Sequence, residues 1–298
     1  MISKITLTNR IIVIIVLFFI KSANANIVNQ YFIKITPNVP LVNCGKLKIK
    51  KVKTELNSFL GKEDSNNIKP EDALKLINDS ILLKSPKTSK IVFFVHGFWA
   101  SLPFAIHRTS KGFKQNYYKD EKETPIIVIH ILWDANDVLY KHSIENLNNS
   151  TKVFSEIMNK IESSLTFKTS LMCHSMGNRF LYQTLLKEKP KVYFENLLLI
   201  APDLDYRKFE ENHELFTSLA ETVDVFYNEK DNTLNMSKGI NKIERLGRMN
   251  KSHIEEKINF IDCTSVSDIN TFSDSIMKHL YYITSQTVIA KIEKILIN

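Results

Sequence analysis

Apolar runs recur along the chain, each ending in polar or glycine-containing stretches. The strongest are "IVFFVHG" (91–97), "PIIVIHILW" (125–133), "TSLMCHS" (169–175) and "ENLLLIAPD" (195–203). "TVDVFYNEKD" (222–231) and "INFIDC" (258–263) complete the series. Runs apolar on both faces belong in the middle of a covered, mostly parallel sheet. Between them the period changes. Val153, Phe154, Ile157, Ile161 and Leu165 recur at helical spacing, as do Met176, Phe180, Leu181 and Leu185, then Val288, Ile289, Ile292 and Leu296. Pro70, followed by Glu71 and Asp72, marks a further helix start, with Leu74, Ile77 and Ile81 on its inner side. Stretches 61–70 and 84–90 read as loops. Strand–helix alternation over about 200 residues predicts a three-layer α/β domain with right-handed crossovers. The N-terminal strands, at about 30–60, are expected to extend the sheet as an antiparallel edge. The reading is a single domain over 26–298, with 26–69 as edge strands and 70–298 as core.

Residues 1–25 follow a different pattern. Lys4 and Arg10 precede ten unbroken apolar residues, "IIVIIVLFFI" (11–20), and Ala23-Asn24-Ala25 is a small-x-small site. This is the pattern of a secretory signal peptide cleaved after Ala25, placing the protein outside the cell or in a periplasm. An uncleaved N-terminal membrane anchor is the alternative, although the run is shorter than a spanning helix needs. Cleavage would remove Lys4, Arg10 and Lys21 with no acidic residue, lowering the formal net charge from +8 to +5. The remaining lysines are scattered except in "KLKIKKVK" (46–53), which reads as an edge strand with a wet basic face and allows weak attraction to an anionic membrane surface. No nucleic-acid motif or basic stripe with interleaved aromatics is present. Cys44, Cys173 and Cys263 form no metal-ligand spacing, so neither metal nor cofactor is expected; in an oxidising compartment Cys44 and Cys263 are the pair available for a disulfide.

Ligands of such sheets bind outside the carboxyl ends of the strands. There stand His96-Gly97-Phe98, Trp133-Asp134, Ser175, Asp203 with Asp205, Asp231 and His279. In "CHSMG", Ser175 occupies a strand-to-helix turn close to G-x-S-x-G, with Cys173 at the first glycine position. A hydroxyl there stands above the sheet, with helix N–H groups nearby to hold negative charge. It needs a base, and an acid to orient that base, in the chain order Ser, Asp or Glu, His. Of eight histidines only His253 and His279 lie beyond Asp231, and His279 alone follows the last strand. The acid is Asp231, with Asp203 as the alternative. The N–H groups of Phe98 and Met176 are the expected oxyanion donors. His96 reads as a residue packing under its loop; with Trp99 and Trp133 it is also a candidate to line the substrate pocket.

"FVHGF", "CHSMGNRF" and "LLLIAPDLD", in this order, resemble the α/β-hydrolase superfamily, and more narrowly a bacterial group of unknown function sharing His-Gly-Phe, His-Ser-Met-Gly-Asn-Arg and Ala-Pro-Asp. The resemblance spans about 70–298 and implies an α/β-hydrolase fold with Ser175, Asp231 and His279 as triad. Trp99 stands where the group often has Asn, and Asp134 where it often has Pro, which bears on the pocket more than on the triad. The expected function is a secreted or periplasmic serine esterase forming an acyl-enzyme on a small-molecule or lipid-like ester. An acyltransferase using the same triad, or a non-catalytic binding or scaffold protein on this fold, are the alternatives.

Overall fold

The architecture is that of a computed structural model describing residues 13–16, 31–35, 42–46, 68–83, 89–98, 103–117, 126–135, 140–249, 257–269 and 272–297. Strands β1 (Val13–Val16), β2 (Tyr31–Ile35), β3 (Val42–Lys46), β4 (Lys90–Val95), β5 (Ile126–Leu132), β6 (Thr169–His174), β7 (Phe194–Ile200), β8 (Ala220–Tyr227) and β9 (Ile258–Asp262) form one sheet. Its order is β3-β1-β2-β5-β4-β6-β7-β8-β9. The seven strands from β2 to β9 pair in parallel.

Along β4, Ile91, Phe93 and Val95 face one core, while Val92 and Phe94 face the other. The first core receives α1 (Pro70–Leu82), α3 (Tyr140–Ser164), α4 (Met176–Glu188), α5 (Tyr206–Glu211) and α6 (Glu214–Thr217). The second receives α2 (Pro103–Asn116), α9 (Tyr281–Thr284) and α10 (Gln286–Ile297), with Leu234 of α7 (Asn232–Asn241). A short helix α8 (Phe272–Met277) precedes α9. This is the three-layer sandwich that the alternating periods dictate. Covering both faces explains why the central strands carry no polar alternation.

The N-terminal edge is antiparallel as expected in β1 and β3, and departs from expectation in β2. β2 runs parallel to β5, and only β1 and β3 oppose the rest, because β1 pairs antiparallel with β2 and β3 parallel with β1. β1 lies within the run read as a leader's apolar core; its Val and Ile side chains, branched at Cβ, suit a strand equally well. The basic stretch beyond Lys46 lies outside the described residues, as do 61–67 and 84–88 of the expected loops.

A Cys44–Cys263 disulfide is ruled out by topology. Cys44 sits on β3 at one edge, whereas Cys263 follows β9 at the other and is free and buried. Eight inter-strand steps separate them, about 38 Å, against a reach of about 6 Å between bridged Cα atoms. Among the described residues no helix is long and apolar enough to cross a membrane.

Candidate active site

β6 ends at His174, and Ser175 turns the chain into α4 with φ 54° and ψ −122°. L-residues avoid this region, so surroundings must hold the turn in place. They do so through hydrogen bonds: Ser175 N–H donates to Ile200 O at 3.0 Å, and Ser175 O accepts from Asn178 N and Asp203 N, each at 3.1 Å. The Asn178 amide, fully buried, adds donations to Cys173 O and Ser175 O at 3.0 Å and to Ile200 O at 3.2 Å. Of five non-glycine residues with positive φ among the described residues, three are Ser175, Ala201 and Lys278, on the loops carrying Ser175, Asp203 and His279. Strained backbone gathers where a site would be built.

Glycines make room for the turn. A Cβ on Gly177 would lie 2.5 Å from Val95 O, so the helix approaches β4 as closely as a residue without a side chain allows. A Cβ on Gly97 would stand 2.7 Å from Ser175 Cβ and 3.2 Å from its Oγ. Gly97→Ala is therefore expected to push the Ser175 hydroxyl from its position. Reactivity of Ser175 toward an acylating or phosphonylating reagent should fall by about tenfold or more while the fold survives, read from labelling rate beside a thermal melt. Cys173, in the first glycine position of the motif, points into the core with no exposure, and burial pushes its thiol well above the ordinary range. It is a packed apolar side chain rather than a thiolate.

The histidine and the acid come together. His279 Nδ1 donates to Asp231 Oδ2 at 2.6 Å, with Asp231 fully buried and His279 nearly so. Asp231 caps α7 with its other oxygen, which accepts from Leu234 N at 2.9 Å. His279 lies directly against the turn: its ring centroid is 4.6 Å from that of His174, the residue before Ser175. His174 Nε2 donates to His279 O at 3.2 Å, and Asn228 Nδ2 donates to Lys278 O at 3.3 Å. Burial first, and then the neighbouring His279, push His174 well below the ordinary histidine pKa, so it acts as a neutral clamp.

Asp203 belongs elsewhere. Its carboxylate accepts from Tyr140 OH and Ser237 Oγ, both at 2.6 Å, and pairs with Arg245 at 3.5 Å. Arg179 and Asn241 reach the same tyrosine oxygen at 3.4 Å. The Tyr140 ring stands edge-on to Phe98 at 5.5 Å, so the cluster braces the loop after β4 while the Asp203 backbone holds the Ser175 turn. Desolvation, then Asp203, raises the Tyr140 pKa. No sequence period marks this cluster; the only visible signal was Asp203 at a strand end.

His96 and Trp133 are not exposed pocket residues. Trp133 N–H donates to His96 Nε2 at 3.2 Å, its indole N–H to His96 O at 2.8 Å, and the rings stack 5.5 Å apart. His96 Nδ1 therefore carries the proton and donates to Gly97 O at 2.8 Å. Both side chains are buried, because a strand-end loop with this much backbone to satisfy recruits the nearest polar rings. Trp99 lies outside the described residues. Met176 opens α4, in the first turn where a helix supplies no acceptor for its own N–H. Residues 232–249 pack down as α7 and a 3-10 turn (Leu246–Arg248), with Gly247 against Ala201 and Pro202. A cleft of about 410 Å³ lined by Leu165, Phe167, Tyr193 and Phe194 lies at the amino ends of β6 and β7, opposite Ser175.

No curated protein matches the chain. Among solved structures it is similar to MenH from S. aureus, at 10% identity and TM-score 0.39, covering 70% of this chain and 93% of that one. It is similar also to phospholipase PlaB from Legionella pneumophila, at 12% identity and TM-score 0.30, covering 70% and 63%. Likenesses this distant carry no argument about substrate. The family model for alpha/beta hydrolases of unknown function (DUF900) matches residues 72–297, from the first turn of α1 to the end of α10 and across all three strand-end loops, and the chain belongs to that family.

Proposed function

We propose that the protein is a serine hydrolase of carboxylic esters, with Ser175 as nucleophile, His279 as base and Asp231 as the acid that orients it. The observation that supports this most is the buried 2.6 Å bond from His279 Nδ1 to Asp231, on a ring packed against the residue preceding Ser175. A proton held at Nδ1 leaves Nε2 basic. Ser175 Oγ attacks the ester carbonyl while Nε2 takes its proton. The negative oxygen of the tetrahedral intermediate is held by the Phe98 and Met176 N–H groups. The intermediate collapses, Nε2 returns the proton to the leaving alkoxide, and an acyl-enzyme remains. Water, deprotonated by the same nitrogen, then attacks the acyl carbon, and Ser175 leaves with the proton.

The apolar run at 11–20 and the Ala23-Asn24-Ala25 site support export, with the enzyme acting outside the cell or in a periplasm. One experiment tests both parts: fluorophosphonate labelling of the exported protein, with Ser175→Ala as control and the adduct located by mass spectrometry. A single adduct on Ser175, absent from the control, is the expected result. An intact mass beginning at Asn26, which would leave β1 out of the mature sheet, is expected alongside it. A folded protein with no adduct would instead leave the non-catalytic binding reading in place.

A further inference from the structure

Among the described residues nine large apolar side chains are exposed, and four of them fall in sequence between the acid and the base: Met236 (63%), Ile240 (62%), Ile243 (40%) and Ile276 (48%). Isolated exposed apolar residues need no explanation, but a cluster does. On α7, Asn232, Met236 and Ile240 follow one another at four-residue spacing and so form one ridge. Asn232 Nδ2 donates to Ile276 O at 2.7 Å, which joins α8 to the foot of that ridge. The opposite face of α7 is anchored: Leu234 is fully buried, and Ser237 donates to Asp203. Gly239 has open space on its side-chain face. The ridge starts one residue after Asp231, and Ile276 stands three before His279, so the apolar surface flanks the proposed acid–base pair.

Its surroundings are basic. Leaving aside the buried Asp231 and Arg245, segments 229–249 and 275–279 carry Lys230, Lys238, Lys242, Arg248 and Lys278 against Glu229 and Glu244. Protein-binding hot spots are rich in Trp, Tyr and Arg. This ridge instead offers flexible aliphatic side chains edged mainly by lysine, on a helix whose inner face is fixed. That combination suits acyl chains beneath anionic headgroups. We propose that the rim formed by α7 and Ile276 docks the protein on an anionic lipid surface. On the hydrolase reading above, it thereby presents Ser175 to ester bonds held at that surface.

The test uses the purified protein carrying Ser175→Ala, so that no lipid is consumed, in co-sedimentation with vesicles of phosphatidylglycerol and phosphatidylcholine. Parent and variant share the same N-terminus, so the difference between them is what counts. Met236→Ser with Ile240→Ser should lower vesicle partitioning about tenfold, and phosphatidylcholine alone should bind the parent far more weakly. Equal binding by parent and double variant would overturn the proposal. So would an absence of binding to anionic vesicles. Self-association lost in the double variant, without vesicle binding, would assign the ridge to a second copy and overturn it too. The same double substitution on wild-type Ser175 should keep its melting temperature and its fluorophosphonate labelling rate, which shows an intact fold. Labelling and docking fail independently: a protein that docks through the ridge but takes no label would overturn the hydrolase reading and leave the docking surface standing.

Discussion

Asp231→Asn is expected to lower kcat/KM for a soluble short-chain ester by about 10³- to 10⁴-fold while shifting the melting temperature by only a few degrees. The two effects separate because Asp231 has two jobs on two oxygens. One caps α7 through Leu234 N, and Asn caps as well as Asp. The other accepts the His279 Nδ1 proton. An amide turned to serve that nitrogen donates instead, which forces the proton onto Nε2 and removes the base. Asp203→Asn should show the reverse pattern. It leaves Arg245 buried without its carboxylate, so stability should fall by roughly 3–5 kcal/mol, with turnover reduced far less than in Asp231→Asn. Urea unfolding and steady-state kinetics on both variants decide the matter. If Asp203→Asn abolished turnover without loss of stability, the roles assigned to the two aspartates would be exchanged.

Lowering the pH from 6.5 toward 4 is expected to unfold the protein steeply. Burial, the dominant cause for each, lowers His96 to about 4, His130 to about 3 and His174 well below 6.5. The folded pKa of each lies under its unfolded value, so in this window the unfolded chain binds more protons and stability falls with pH. Each histidine contributes a slope of about 1.4 kcal/mol per pH unit once it is protonated only in the unfolded state. Asp224 and Glu156, raised by burial, take up protons in the folded chain and offset part of this. A net slope of about 3–4 kcal/mol per unit remains, enough to exhaust a stability of roughly 5–8 kcal/mol, the lower part of the ordinary range, within about two units. His130 stacks on Phe32 at 4.7 Å and meets Phe94 and Phe113 edge-on, so His130→Phe should keep the packing and flatten the slope by about a third. Urea midpoints at pH 7.5, 6 and 5 measure it; unchanged stability across that range would show that these rings are charged or solvated in the fold.

Much of the fold was readable in the chain because fully covered strands are apolar without interruption. β4 to β8 all begin within two residues of the runs that announce them. Strand direction was not readable: Tyr31–Ile35 has the same composition whether it runs with β5 or against it, and only the crossover through later elements decides. At the site, the strand-to-helix turn motif singled out Ser175 and chain order singled out His279, since the connections of such a sheet bring successive strand ends to one edge. It favoured Asp231 but kept Asp203 as the alternative, because both follow a strand and both precede the last histidine. What distinguishes the surroundings of Asp203 is contact with Tyr140, Ser237 and Arg245, whose meeting no local pattern encodes. His96 packs under its loop as its position suggested; that Trp133 is what holds it there was not readable, for the same reason. Each of the two rings satisfies the other's neighbouring polar groups, a pairing of distant segments that no local pattern shows.

The Ser175 turn sets the fold and the chemistry against each other. A serine held at φ 54° costs about 1–3 kcal/mol that a glycine there would not. On the hydrolase reading proposed above, a lineage relieved of the need for the reaction would gain sturdiness by exchanging Ser175 for glycine, and laboratory selection for heat tolerance alone would drift the same way. A serine that persists in this turn is therefore kept by selection for something other than stability.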